Sequence, residues 1–152
     1  LALELRIDAR KYDIGTDAPP ITVTSGYRRY DYQKYLFETA VQRYEEKGYS
    51  RAKAETLAAR YTAGAGESEH QSGLCVDIHD RPCATVDFES SPYFLWLCEN
   101  AHRFGYILRY PKGKENITKI AFEPWHWRYV GRENAEKIKK SGLCLEEYLK
   151  KY

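Results

Sequence analysis

The sequence predicts an α+β domain, a small and largely antiparallel sheet backed by helices. Three observations lead there. Apolar residues recur at helical spacing in the first half, over about 31–47 and 50–61. Short runs rich in β-branched and aromatic residues, at 21–25, 74–78, 106–109 and 120–122, are bounded by glycine, proline or charged turns. Helices come first and strands mostly later, with one helix between them, which is an α+β order and not the alternation of βαβ units.

Residues 1–20 carry an alternating patch, Leu1, Leu3, Leu5 and Ile7, before a polar stretch ending in Pro19-Pro20, and read as an N-terminal arm able to pair as an edge strand. Residues 21–25 form a strand that Gly26 ends. Tyr27-Arg28-Arg29 follows at the strand-to-helix junction, where side chains project into clefts. Asp31 is the expected N-cap of a helix to about 47, with Tyr32, Tyr35, Leu36, Ala40, Val41 and Tyr44 on its apolar face and Gly48 as its stop. Ser50 caps a second helix to about 61 that turns Ala54, Leu57, Ala58 and Tyr61 inward. Gly64 and Gly66 make 62–67 a loop, and 74–78 is a strand. After an irregular 80–90, Ser91-Pro92 starts a helix running to Phe104, with Phe94, Leu97, Cys98 and Ala101 buried and Gly105 as its stop. Strands at 106–109 and 120–122 flank a charged turn at 112–116. A helix over about 132–140, stopped by Gly142, and a short one near 145–149 close the chain.

The 152 residues suit one domain, 1–152, with one core. A hydrophobic fraction of 43% and a charged fraction of 30% exclude a disordered chain. Lys+Arg of 24 against Asp+Glu of 22 leaves +2, without the basic footprint of a nucleic-acid binder. No run approaches the roughly 18 apolar residues of a membrane span. No signal peptide is visible, and the sequence opens on Leu1 and not Met, so a leader or anchor is expected upstream. Cys75, Cys83, Cys98 and Cys144 contain no Cys-x-x-Cys pair and are expected as free, mostly buried thiols.

Two stretches carry the chemistry. Ser-Glu-His-Gln-Ser-Gly-Leu-Cys-Val-Asp-Ile (68–78) offers His70 and Asp77; Glu-Pro-Trp-His-Trp-Arg-Tyr-Val-Gly (123–131) offers His126 and a spare carboxylate, Glu123. Two imidazoles and one carboxylate suit Zn²⁺ and leave a fourth position open, so a zinc site in a cleft on the sheet is expected. Asp77 is seven positions after His70, an odd offset that would split the two across a strand, so His70 belongs in the loop with Gly73 permitting the turn. Pro124 fits the second position of a tight turn that would bring Glu123 and His126 to one side. Zinc would lower the pKa of a bound water to about 7 and polarise a carbonyl. Glu123 would move the proton, and Arg28 would bind a carboxylate or a developing oxyanion. His79, two residues after Asp77, is a rival ligand. Trp125 and Trp127 straddle His126 and are candidates for the groove, although burial is the commoner fate of Trp. His102 reads as structural or solvated, and Arg109, Arg128 and the lysines near 112–119 read as solvated charges.

Ser-Gly-Tyr-Arg (25–28), Ser-x-His-x-x-Gly-x-x-x-Asp (68–77) and the 123–131 stretch together resemble the VanY-type zinc D-alanyl-D-alanine carboxypeptidases, in that family's order and over roughly 20–150. The resemblance implies that His70, Asp77 and His126 bind zinc, that Glu123 is the catalytic base and that Arg28 contacts the reacting peptide. It further implies that Ser68 and Gln33 grip the peptide end. Cys75 stands where relatives carry a small residue such as Ala, and no change in zinc binding is expected from it. Ala-Gly-Ala-Gly before Glu67 stands where relatives often have prolines, beside the expected substrate groove. The implied activity is removal of the C-terminal D-Ala from peptidoglycan stem peptides, whether in wall remodelling or in glycopeptide resistance. An L,D-carboxypeptidase and a D,D-dipeptidase are the alternatives within the class, and a non-catalytic zinc module binding cell-wall peptide or protein is the alternative outside it. The expected setting is the bacterial cell envelope outside the cytoplasm, with a cytoplasmic location as the alternative and membrane contact only through an anchor. A monomer is expected, with no nucleic-acid partner.

Overall fold

The computed structural model describes residues 21–151. The arm expected over 1–20 lies outside the described residues. The elements run β1 (Thr22–Ser25), α1 (Tyr30–Glu45), α2 (Arg51–Ala58), β2 (Cys75–His79), α3 (Pro92–Asn100), β3 (Tyr106–Leu108), α4 (Glu115–Thr118), β4 (His126–Tyr129), α5 (Arg132–Ser141) and α6 (Leu145–Lys151). Tight 3₁₀ turns at Glu69–Ser72, Val86–Ser90 and Ala101–Phe104 join some of them. The strands form one four-stranded sheet, ordered β1-β2-β4-β3 and antiparallel at every pairing, so the domain is α+β.

Register decides what the sheet presents. Asp77 pairs with His126, Val76 with Trp127 and Cys75 with Arg128. Alternation then puts Cys75, Asp77, His126 and Arg128 on one face and Val76, Ile78 and Trp127 on the other. The second face is the main core, where Ile78 and Trp127 pack with Phe94, Trp96 and Leu97 of α3 and with Phe88. Ile107, Ala135, Ile138 and Tyr148 make a second cluster between β3, α5 and α6. Val41, Ala54 and Ala58 make a third between α1 and α2.

Local signals act much as their chemistry suggests. Ser91 caps α3, its Oγ accepting from the Tyr93 N–H at 3.3 Å, with Pro92 in the first turn. Gly105 ends the following turn at φ +87°, where a side chain would strain the backbone.

Four expectations are corrected. Residues 120–122 are not a strand; the Ala121 N–H donates to the Arg60 carbonyl, and β4 begins at His126, after the Pro124 turn. The expected turn at 112–116 contains the start of α4. Asp31 lies in the first turn of α1, where a carboxylate suits the helix dipole, and Arg29 takes the cap position. The buried face of α1 is rotated from the expected one. Gln33 and Val41 are buried with Phe37, Ala40 and Tyr44 packed alongside, whereas Tyr32 and Tyr35 are exposed and stack on each other at 6.3 Å. Tyrosine carries a polar tip, so its apolar spacing does not decide which way a helix faces. The four cysteines are free: Cys75 and Cys144 are buried, Cys98 is half-buried and Cys83 is exposed.

Candidate metal centre

His70 sits in the turn Glu69–Ser72, which the Ser68 side chain caps by accepting from the His70 N–H at 3.4 Å. Gly73 then reverses the chain at φ +71° into β2. The His70 ring is oriented by a 2.7 Å contact between Nδ1 and the Gly26 carbonyl. With Nδ1–H donating to that carbonyl, the neutral ring keeps its lone pair on Nε2, which faces inward. Across the strands, β2 and β4 set Asp77 directly opposite His126, where opposed side chains are about 5 Å apart at Cβ. Pro124 makes the turn, with the His126 N–H donating to the Glu123 carbonyl at 3.2 Å, and this brings Glu123 Oε2 within 3.5 Å of His126 Nδ1.

The result is a convergence of donors. Asp77 Oδ1 lies 3.2 Å from His70 Nε2 and 3.1 Å from His126 Nδ1, yet it is buried without an aligned hydrogen bond. Zinc bonds of about 2.0–2.1 Å in tetrahedral array hold their donors roughly 3.3 Å apart, so this nitrogen–nitrogen–oxygen set fits Zn²⁺. The Sγ of Cys75 belongs to the same cluster, within 4.8 Å of a nitrogen of each histidine.

Electrostatics separate the acids. Burial alone would raise Asp77, but the imidazoles of His126 and His70 beside it hold it well below the ordinary carboxylate range. Burial likewise disfavours a charged His70, and Asp77 and Cys75 outweigh it, pushing the ring up to about 9. Burial pushes Glu123 up to about 7, and Asp77 adds to this while His126 opposes it. Glu123 is thus the one carboxyl of the cluster poised near neutrality, which suits proton transfer.

Arg28 joins the cluster through its backbone and its side chain. Its N–H donates to the His70 carbonyl at 3.1 Å, and its guanidinium donates to Asp77 Oδ2 at 2.6 Å, to Ser25 Oγ at 2.7 Å and to Gln33 Oε1 at 3.4 Å. Arg28, Ser68, Glu123 and Trp125 line one cleft with His70, Asp77 and His126. Two expected contacts fall elsewhere. Trp127 is on the core face of β4, 2% exposed, with its indole N–H donating to the Pro124 carbonyl at 3.1 Å. Gln33 is fully buried and donates to the Ala63 carbonyl at 2.7 Å, so it braces Arg28 from behind the cleft. His79, the rival ligand, turns away: its Nδ1 accepts from the Arg81 N–H at 3.0 Å, and its ring packs 4.7 Å from Phe88.

Several contributors are not legible in the sequence. Glu69 Oε2 lies 3.8 Å from His126 Nε2, and both atoms are buried without an aligned hydrogen bond. A carboxylate there aligns the histidine from behind. Arg109, expected to be solvated, is 9% exposed and holds Glu69 at 2.7 Å while gripping Glu146 of α6 at 2.7 and 3.0 Å. Arg128 reaches Glu69 at 3.2 Å. Tyr110 packs at 4.9 Å from the His126 ring and lines the cleft, as do Tyr61 and Thr62 of the glycine-rich loop region. Only the placement of Glu69 next to His70 in the chain hinted at any of this.

The family model described as VanY, D-alanyl-D-alanine carboxypeptidase, matches residues 4–132. A D-alanyl-D-alanine carboxypeptidase of Enterococcus faecalis is 46% identical over 127 residues, covering 84% of this chain and 46% of that protein. The chain spans about half the length of the curated relatives it matches. Among solved structures, the VanY D,D-pentapeptidase of a VanB-type vancomycin-resistance cassette, in complex with Zn(II), superposes with a TM-score of 0.78 at 44% identity, over 97% of this chain and 78% of that one. The LdcB LD-carboxypeptidase superposes with a TM-score of 0.75 at 40% identity, over 98% of this chain and 65% of that one.

Proposed function

The chain belongs to the VanY family of D-alanyl-D-alanine carboxypeptidases, and from that premise we propose that it is a zinc carboxypeptidase removing the terminal D-Ala from peptidoglycan stem peptides. The observation that carries the reading is the seat of Asp77 Oδ1, 3.2 Å from His70 Nε2 and 3.1 Å from His126 Nδ1, with Glu123 3.5 Å from the same His126 nitrogen. His70, Asp77 and His126 would hold Zn²⁺, as the family's Zn(II) complex supports. Bound there, the ion supplies a Lewis acid that polarises the scissile carbonyl and lowers the pKa of a coordinated water to about 7.

The remaining steps belong to the chain's own side chains. Glu123 accepts a proton from the attacking water and delivers it to the leaving amine of D-Ala; burial keeps its carboxyl near the pH at which both transfers run. Arg28 offers a guanidinium to the peptide carboxylate or to the oxyanion, anchored by Ser25 and Asp77 and braced by Gln33. Ser68 and Trp125 line the cleft and are assigned to the peptide end. The active proton-transfer group argues against a purely binding zinc module, which has no use for Glu123. Stem peptides lie outside the cytoplasmic membrane, and we assign the protein to that side, acting as a monomer. Among the described residues, no helix is long and apolar enough to cross a membrane.

A second reading is favoured by the 40% identity to LdcB: an LD-carboxypeptidase cutting before D-Ala in a tetrapeptide. Mass spectrometry of products from a defined pentapeptide, a tetrapeptide and free D-Ala-D-Ala, with and without chelator, decides among the activities. Release of D-Ala from the pentapeptide alone is the expected result. Cleavage of the tetrapeptide alone selects the second reading, and a zinc-loaded protein that cleaves none of the three refutes the enzyme assignment.

A further inference from the structure

The sheet order β1-β2-β4-β3 gives the metal centre two flanks, since Asp77 and His126 belong to the inner strands. Arg28 follows β1 on one flank and Tyr110 follows β3 on the other, and both line the cleft. The backbone at Tyr110 is fixed. The Arg109 N–H donates to the His126 carbonyl at 3.1 Å, and the Tyr110 carbonyl accepts from the Glu123 N–H at 3.2 Å. The ring is fixed as well, with the His126 imidazole 4.9 Å away and the Arg109 guanidinium 4.7 Å from its centroid. Yet among the described residues nothing hydrogen-bonds the Tyr110 hydroxyl. Arg28 is in the opposite condition, because Asp77, Ser25 and Gln33 already take its guanidinium. A half-buried phenol normally finds a partner for its O–H. The bland alternative is a ring that only packs against His126.

We propose that Tyr110 is a catalytic residue, whose O–H donates a hydrogen bond to the scissile carbonyl oxygen as that oxygen gains charge, from the flank opposite Arg28. The inference rests on the carboxypeptidase reading and deepens it. No covalent bond is made or broken at Tyr110. Phenols titrate near 10, so the proton stays on the hydroxyl at neutral pH, and proton transfer remains with Glu123. The two flanks then differ in kind. Arg28 is a charge that carries its counter-charge in Asp77. A neutral phenol costs little in an empty cleft and gains most when negative charge develops beside it, which is the differential that accelerates a reaction. Because backbone and ring are both held, the donor needs no reorganisation at that moment.

Tyr110→Phe keeps the ring against His126 and removes only the hydroxyl. Its Zn²⁺ content, by metal analysis, and its KM for the stem peptide that the wild type cleaves are expected to stay within about twofold of wild type. Its kcat is expected to fall roughly 10²-fold, and its affinity for a D-Ala-D-Ala phosphinate analogue by a similar factor. A purely packing role would spare both. A zinc-loaded Tyr110→Phe with wild-type kcat, or a loss confined to KM or to zinc content, overturns the role of Tyr110 and leaves the carboxypeptidase reading standing. A zinc-loaded wild type that cleaves no stem peptide overturns both. A crystal structure of the wild type with the phosphinate analogue decides the matter even if the variant fails to fold. A phenol oxygen about 2.7 Å from a phosphinate oxygen is expected, and one beyond about 3.5 Å overturns the proposal.

Discussion

Glu123 and Glu69 both reach toward His126, and their surroundings send them in opposite directions. Burial pushes Glu123 up to about 7, close to the working pH of a proton shuttle. Glu69 is also opposed by burial, but His126 and the guanidinium of Arg109 hold it at about 2, a fixed anion. Two carboxyls with separated pKa values divide the work between them. Glu123→Gln is expected to keep zinc, by metal analysis, and to lose roughly 10²–10⁴ in kcat; undiminished hydrolysis by the zinc-loaded variant would remove Glu123 from the mechanism. Glu69→Gln is expected to weaken Zn²⁺ binding about 10–100-fold in a competition titration, because His126 loses its backing carboxylate. The same residue sets an acid limit. Its value in the folded protein lies below its ordinary 4.5, so its stabilisation is complete above that pH and is lost as pH falls toward about 2. The difference in unfolding free energy between the wild type and Glu69→Gln should therefore shrink across that window, from on the order of 2–3 kcal/mol.

At the scale of elements, two short joints hold the centre in place. Gly105 links the turn Ala101–Phe104 to β3, and a Cβ there would meet Tyr129 Cε2 at 2.6 Å and the Gly131 carbonyl carbon at 3.1 Å, at φ +87°. The ring tip of Tyr129 can move; the Gly131 backbone and the positive φ cannot be escaped as easily. Gly105→Ala is expected to lower stability in urea by about 2–4 kcal/mol. The second joint is Arg109, which follows β3 and ties Glu146 of α6 to Glu69 behind His126. Arg109→Ala leaves two partly buried carboxylates facing each other. A loss of about 3–5 kcal/mol is expected, with weaker metal binding alongside. A variant that unfolds at the wild-type urea concentration would show that α6 is not fastened through this pair.

For the molecule as a whole, the metal and the fold are expected to be linked. A ligand that binds only the native state at 100 times its Kd adds about 2.7 kcal/mol, so chelation should lower Tm and Zn²⁺ should restore it, by calorimetry. Much of this architecture was legible in advance. His70 before a glycine, Asp77 in a β-branched run, Pro124 between Glu123 and Trp125, and Ser91-Pro92 all act through covalent geometry or a neighbour in the chain, and such signals need no tertiary context. Residues 120–122 resemble a strand because Ile120 and Phe122 are apolar, but the Ala121 N–H bonds to the Arg60 carbonyl and not to a neighbouring strand. Tyr32 and Tyr35 were misassigned because a tyrosine satisfies either side of a helix. Glu69, Arg109 and Trp127 escaped for a deeper reason, since their roles depend on which face of a strand meets which element. The sequence by itself determined the donor types, the turns that present them and the order of elements. Only the tertiary structure decided that Asp77 and His126 are opposed across β2 and β4, that the Cys75 thiol lies near nitrogens of His70 and His126 and that Glu123 is dry enough to titrate near neutrality. Register and desolvation are sums over residues far apart in the chain, and local spacing carries no term for them.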